Sequence, residues 1–541
     1  MHTRWPVFAA LVLGVSALAA ISWIVLAQAR GATVPASGGH YVEGVTRAPE
    51  RMNPLFAGAN PVDADVASLV FSGLVRLGSD GTPLPDLAQR WEITGNGQSY
   101  VFHLRPGVAW QDGQPFDAQD VVFTFKAIAD PGFKGDPALA QLMDGVIVTA
   151  RDPLTVEFRL QQAYAPFLSY LNVGILPRHL LDGMDANQLF NAPFNAHPIG
   201  TGPFAFARHT AHGVELATNP TYYLGPPLIS TMELRVYADE SALADALRTH
   251  QVDGALLGPD TPRADIDFLA TDPAFALRRL TTTAYNTVYL DTRAPLFADA
   301  VVRKALWQAI NAQSLVDQVA GGRGQPIQTT IPKQSWAFTD ATVPAFDPGA
   351  AARALEADGW PRGADGVRFK DGVRLAFTLS VPNDAQRVAI ARNLADQWRA
   401  IGADVQVQPF AAATYIDDVL LPRKYQAALV AVDPGPDPDP YPFWHSSQIA
   451  PPGRNLANYA DPAVDDVLQR ARQTTDTARR KDLYALFAGY LIAAAPQIPL
   501  YSPVYIYVQA TRVHGFSDTL LFSPASRFSS VAAWYINTTT R

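Results

Sequence analysis

The chain is 541 residues long, 48% hydrophobic and 17% charged, too long for one small core and too apolar for a disordered polymer. Its formal net charge of −8, with no long basic run, excludes the phosphate-neutralising surface that a nucleic-acid binder needs. Cysteine is absent, which excludes disulfides, thiolate catalysis, Cys-ligated zinc and a lipid on an N-terminal cysteine.

After Arg4 and Trp5, residues 7–26 carry no charge, and Ala27-Gln28-Ala29 forms a small-x-small cleavage pattern, so this segment directs the chain out of the cytoplasm. The run approaches the ~20 residues that a membrane span requires, so residues 1–29 read either as a signal peptide or as an N-terminal membrane anchor. Residues 30–40, rich in Gly, Ala, Ser and Pro, read as a linker. The alternation over 41–46 predicts the first strand. Residues 91–104 predict a hairpin around Gly95-Asn96-Gly97, because Asn-Gly tolerates the positive φ of a tight turn. Asp117 caps a predicted helix with Val121, Val122, Phe125 and Ile128 on one face, and a second hairpin follows over 145–160.

Beyond the turn-rich stretch 198–203, a strand over 232–237 leads into a helix over 240–250. Alternation resumes with strand 287–290, helix 299–311, strand 375–380, helix 384–401 and strand 405–409, with Gly402 stopping the long helix. Helices over 462–473 and 477–494 precede an aromatic strand over 501–507. This is the rhythm of α/β lobes, and no fixed-period repeat suggests a solenoid.

Several stretches, in order, resemble the family 5 extracellular solute-binding proteins, the peptide- and nickel-binding components of bacterial ABC importers. They are ERMNPLF, VFSGLVRLGSDGTPLPDLAQRWEITGNGQSYVFHLRPGVAWQDGQPFDAQDVVFTF, PIGTGPF, YNTVYLDT, VRKALWQAIN, and PDPDPYPFWHSSQ followed by NLANYADPAVDDVLQRAR. The resemblance implies a bilobal, hinged, periplasmic-binding-protein-like α/β fold with an additional α+β domain. It assigns residues 41–76, 199–284 and 503–541 to lobe one, 77–198 to the additional domain and 285–502 to lobe two.

The chemistry concentrates in Asp433-Pro434-Gly435-Pro436-Asp437-Pro438-Asp439-Pro440-Tyr441, where repeated prolines stiffen the backbone and hold three carboxylates in place. In peptide binders of the family an aspartate near this position pairs with the ligand's α-ammonium, which makes Asp433, Asp437 and Asp439 the candidates. Asp433 is the first choice because it ends the apolar run 427–432; Asp before Pro also simply initiates turns. Tyr441 and Trp444 are candidates for an apolar wall or for core packing. Arg454 and Asn455 are candidates for a carboxylate or backbone carbonyls, and Asn286 and Asn53 for facing positions on the two lobes, against the local capping that Asn often performs.

The sequence has no HExxH, G-x-S-x-G or GxxxxGK[ST], His209 and His212 lack a third ligand, and His445 beside two serines is a neighbour pair without demonstrated geometry. The expectation is therefore a monomeric binding protein without catalytic residues, metal or cofactor. It captures a solute, most plainly an oligopeptide, on the extracytoplasmic face and hands it to an ABC permease. An oligosaccharide or a nickel chelate on the same scaffold, a membrane-anchored sensory or adaptor protein, and an exported hydrolase are the alternatives.

Overall fold

The computed structural model describes residues 33–258 and 261–540, so the apolar segment 1–29 lies outside the described residues. Among the described residues no helix is long and apolar enough to cross a membrane. The stretch 30–40 departs in part from its reading as a linker. Thr33–Ala36 is a strand, antiparallel to Asn537–Thr540 at the far end of the chain. So short a segment containing Pro35 has no local reason to extend; a partner remote in sequence supplies its hydrogen bonds.

The frame is a twelve-stranded sheet built in two halves. In one, His40–Val45 runs parallel to Thr231–Val236 and Gly254–Leu257. In the other, Ala376–Pro382 runs parallel to Asp404–Phe410 and Ala427–Val432. The strand Gln497–Ala510 belongs to both: its first residues pair with Tyr285–Leu290 and its last with Phe275–Thr281. The chain thus crosses between the halves at 281–285 and at 501–504. Apolar packing divides at the same places, with one core drawn from residues 41–280 and 504–534 and two others drawn from 285–501.

Local sequence signals account for the units. In the helix Ala385–Ala400, Asp384 accepts a hydrogen bond from the Arg387 N–H, while Ile390, Leu394 and Trp398 are buried on one face. Gly402 then takes φ +94, a conformation that ends the helix at little cost. Ala88–Thr94, Ser99–Leu104, Thr155–Arg159 and Ile147–Asp152 form a separate four-stranded antiparallel sheet in that order. Asn96 adopts φ 53 in the first turn. The helix Ala118–Ile128, closed by a reciprocal Asp117–Asp120 capping box, lays Phe125 against Phe158 with ring centroids 4.9 Å apart. This α+β unit shares a continuous core with the first half of the main sheet.

The molecule is therefore a bilobal α/β protein with an added α+β unit. Gly200 and Gly202 pack so closely on the helix Pro61–Val70 that a Cβ on either would run into the Val70 carbonyl.

Candidate ligand-binding cleft

Asp433 leaves the end of Ala427–Val432, the strand that pairs with Tyr285–Leu290 beside the crossing at 281–285. Its side chain is exposed, and one carboxylate oxygen accepts the Gly435 N–H at 2.9 Å, an Asx turn made possible by the φ of +80 at Gly435. Tyr505, on the long shared strand, lies near enough that its hydroxyl pKa, raised first by burial, is raised further by the Asp433 charge. Asn286 is buried in the same neighbourhood, its backbone registered opposite Ala431 and Tyr501.

The other two aspartates of the loop are committed elsewhere. Asp437 is buried, bound bidentately by Arg480 at 2.6 and 3.1 Å, and accepts the Ser169 hydroxyl at 3.3 Å. Asp439 is buried against Arg472 at 2.7 Å and accepts the Tyr441 N–H at 3.1 Å; burial pushes its carboxyl up, and Arg472 opposes that. The Arg472 guanidinium also lies over Tyr441 at 3.9 Å and Tyr164 at 5.1 Å, and that of Arg480 over Trp336 at 5.1 Å. Ser169 and Tyr164 belong to the α+β segment, so these arginines sit where it meets the second half of the main sheet.

The remaining sequence candidates scatter. Tyr441 stacks on His445 at 4.1 Å, and Trp444 is 1% exposed in the core beside Tyr289 and Phe487. Asn455 is fully buried and donates to the carbonyls of Trp444, His445 and Tyr459, a loop-fastening role. Asn53 is fully buried, donating to Asn195 at 2.9 Å and accepting from the Leu55 N–H, so its amide serves the interior of the first half. Arg454 is exposed. His445 accepts from the Ser447 N–H through Nδ1, the same nitrogen that lies 2.8 Å from the Ser447 hydroxyl, as the cap of a short 3-10 turn.

A cavity of about 430 Å³ opens between the first half of the main sheet and the α+β unit, and Pro436 from the aspartate loop forms part of its wall. Phe71, Tyr170, Tyr222 and Phe528 contribute apolar surface. The wall that carries Phe528 is pinned by its neighbour Arg527, which donates to Glu43 at 2.9 Å and to both Asp65 oxygens at 2.6 and 2.7 Å, all three buried. Asp86 is pushed up to about 6 by burial, partly offset by a hydrogen bond from the Tyr223 hydroxyl and by the charges of Arg76 and Arg105. Sequence reasoning passed over these residues, and over Arg472 and Arg480. One signal existed: Arg480 lies on the apolar stripe of Leu483, Tyr484 and Phe487, where a charge requires a buried partner.

A profile of the family described as "Bacterial extracellular solute-binding proteins, family 5 Middle" matches residues 82–451. The chain is 30% identical over 486 residues to Protein XP55 of Streptomyces lividans, covering 88% of this chain and 86% of that protein. It is 25% identical over 520 residues to the oligopeptide-binding protein AppA of Bacillus subtilis (strain 168), covering 94% and 93%. The crystal structure of NikZ from Campylobacter jejuni in complex with Ni(L-His) is 27% identical, with a TM-score of 0.67 over 92% of this chain and 99% of that one.

Proposed function

The chain belongs to the family 5 bacterial extracellular solute-binding proteins, and from that premise we propose that it captures an oligopeptide between its lobes and delivers it to an ABC permease. The carrying observation is Asp433: a carboxylate where the proline-rich loop leaves the strand Ala427–Val432, beside the crossing at 281–285, exposed, held by one backbone N–H, and bound to no cation among the described residues. Such a group suits a peptide's α-ammonium, since a charge-assisted bond in a cleft that closes over it is roughly twice as strong as a neutral one. The likeness to an oligopeptide-binding protein over nearly the whole chain supports the same ligand class. In this reading the protein works without catalysis, as a monomer, on the outer face of the membrane, and the N-terminal segment serves its export or anchoring.

A nickel–histidine complex is the second reading, favoured by the likeness to NikZ. Among the described residues no group of three or more His, Asp or Glu side chains is arranged to hold a metal ion, so a metal would have to arrive already chelated. Calorimetric titration of the full-length protein separates the two. Saturable binding of a pool of free-amine tripeptides, weakened at least ~10-fold by N-acetylation, supports peptide capture through the ammonium. Heat from nickel–histidine and none from either peptide pool would reverse the order of the readings.

A further inference from the structure

The α+β unit shares its core with the first half of the main sheet, yet it also touches the second half. Tyr164 and the 3-10 turn Ala165–Tyr170 that follows it make the contact. Tyr164 is half-buried against the first core, and its carbonyl accepts the Tyr100 hydroxyl at 3.0 Å, which fastens it to the strand Ser99–Leu104. Tyr441, on the other side, packs against a core of the second half. The Arg472 guanidinium lies over both rings, 5.1 Å from Tyr164 and 3.9 Å from Tyr441, and its Nε is held by Asp439 at 2.7 Å. The second half therefore presents an oriented cation to a ring carried by the first. Ser169 adds a hydrogen bond to Asp437 at 3.3 Å. The hairpin turn meets the end of the helix Pro462–Gln473, where a Cβ on Gly97 would lie 3.6 Å from the Gln473 carbonyl oxygen.

The apolar cores of the two sides stay separate, so the seam is made of charges, hydroxyls and ring faces. A cavity of about 60 Å³ lies within it, walled by Ala165 and Leu168 on one side and by Trp336 and Arg480 on the other, with room for water. Parting a shared core would expose apolar surface at a large cost, whereas a polar seam exchanges its contacts for water and can open and re-form. Neither Tyr164, Ser169 nor Arg472 lines the cavity of about 430 Å³ beside the aspartate loop, so the strength of the seam is set apart from the ligand.

We propose that the α+β unit is the clasp of the cleft: Tyr164 and Ser169, set against Arg472 and Asp437, bias the second lobe toward the shut position by the same amount whatever the ligand. This rests on the lobe closure in the reading above and not on the ligand class. Where the shut form is a minor population, each apparent affinity is reduced by that fraction, so loosening the clasp weakens every ligand by one common factor. An anchor that contacts the ligand, such as Asp433, would instead discriminate between ligands.

The chain has no cysteine, so Lys126→Cys on the α+β unit and Arg392→Cys on the second lobe, both exposed, give a spin-labelled pair on the full-length protein for distance measurement by electron double resonance. The pair is introduced into the wild type, Tyr164→Leu, Tyr164→Phe and Ser169→Ala. Without ligand, Tyr164→Leu should lower the ratio of shut to open roughly 2- to 30-fold. Ser169→Ala should move it the same way by about 2- to 5-fold, and Tyr164→Phe, which keeps the ring face, should match the wild type. Titration with a tripeptide pool, free or N-acetylated, should show Tyr164→Leu losing the same factor for both. Distances in Tyr164→Leu and Ser169→Ala that match the wild type overturn the clasp, as does a Tyr164→Leu loss confined to one pool. A wild type that binds neither pool ends the peptide reading, while the label distances still decide the clasp.

Discussion

Asp433 and Asp437 lie on one proline-rich loop with opposite surroundings. Asp433 is exposed and held by a single backbone N–H, whereas Asp437 is 1% exposed and clamped by Arg480 through two hydrogen bonds. The same side chain is exposed with a single backbone donor in one case and a structural fastening in the other, and the difference comes from the partner and the solvent. Burying an ion without a partner costs several kcal/mol, so a buried carboxylate is already spoken for, and one left in water keeps its capacity for an incoming cation.

Several experiments can break or sharpen that contrast. Replacing Arg480 by Ala strands Asp437 in the interior and should cost about 3–5 kcal/mol of stability in denaturant unfolding. A loss below ~1 kcal/mol would mean that the pair is not buried in solution. Asp86 gives an intermediate case, a buried carboxylate with a hydroxyl partner and, among the described residues, no direct ion pair. Burial raises its folded pKa to about 6, above the unfolded value, so its contribution is most favourable below about pH 4 and is lost as pH rises through 6. That loss is on the order of 3 kcal/mol, and Asp86→Asn should flatten the fall in stability across pH 4–7. An unchanged pH profile in the variant would assign the slope to other groups. The smallest thermodynamic signature belongs to Asp433→Asn, which should leave stability within about 0.5 kcal/mol while weakening free-amine peptides roughly 10- to 100-fold and N-acetyl peptides hardly at all. Equal losses for both ligands would remove Asp433 from the ammonium site.

What the sequence revealed tracks the range of the forces involved. The helices Pro462–Gln473 and Thr477–Ala494 have the predicted bounds, because Asp461 and Asp476 cap them from adjacent positions and Pro496 follows the second. The hairpin at Asn96 and the strand Ala427–Val432, which delivers Asp433, were equally local. The strand predicted over 501–507 instead spans Gln497–Ala510, since its ends are set by neighbours from both halves of the sheet. The roles of Asp437 and Asp439 were hidden for the same reason. Their arginines stand 43 and 33 residues away on separate helices, a spacing that carries no local pattern. The cavity is assembled from segments between Ser68 and Ala532, so no stretch of sequence outlines it.

The shared strand Gln497–Ala510 also has a mechanical meaning. Among the described residues the halves of the sheet are joined by two crossings, at 281–285 and 501–504, so the lobes resemble two plates on a pair of pins, a geometry that favours swinging about the line through the pins over sliding. Displacement in such a swing grows with distance from the axis. Asp433 lies by Tyr505, close to the pins, so a swing about them would displace it less than the tips of the lobes. A ligand that docks first at Asp433 is fastened at the fulcrum, and the swing can then complete around it without carrying its anchored end away.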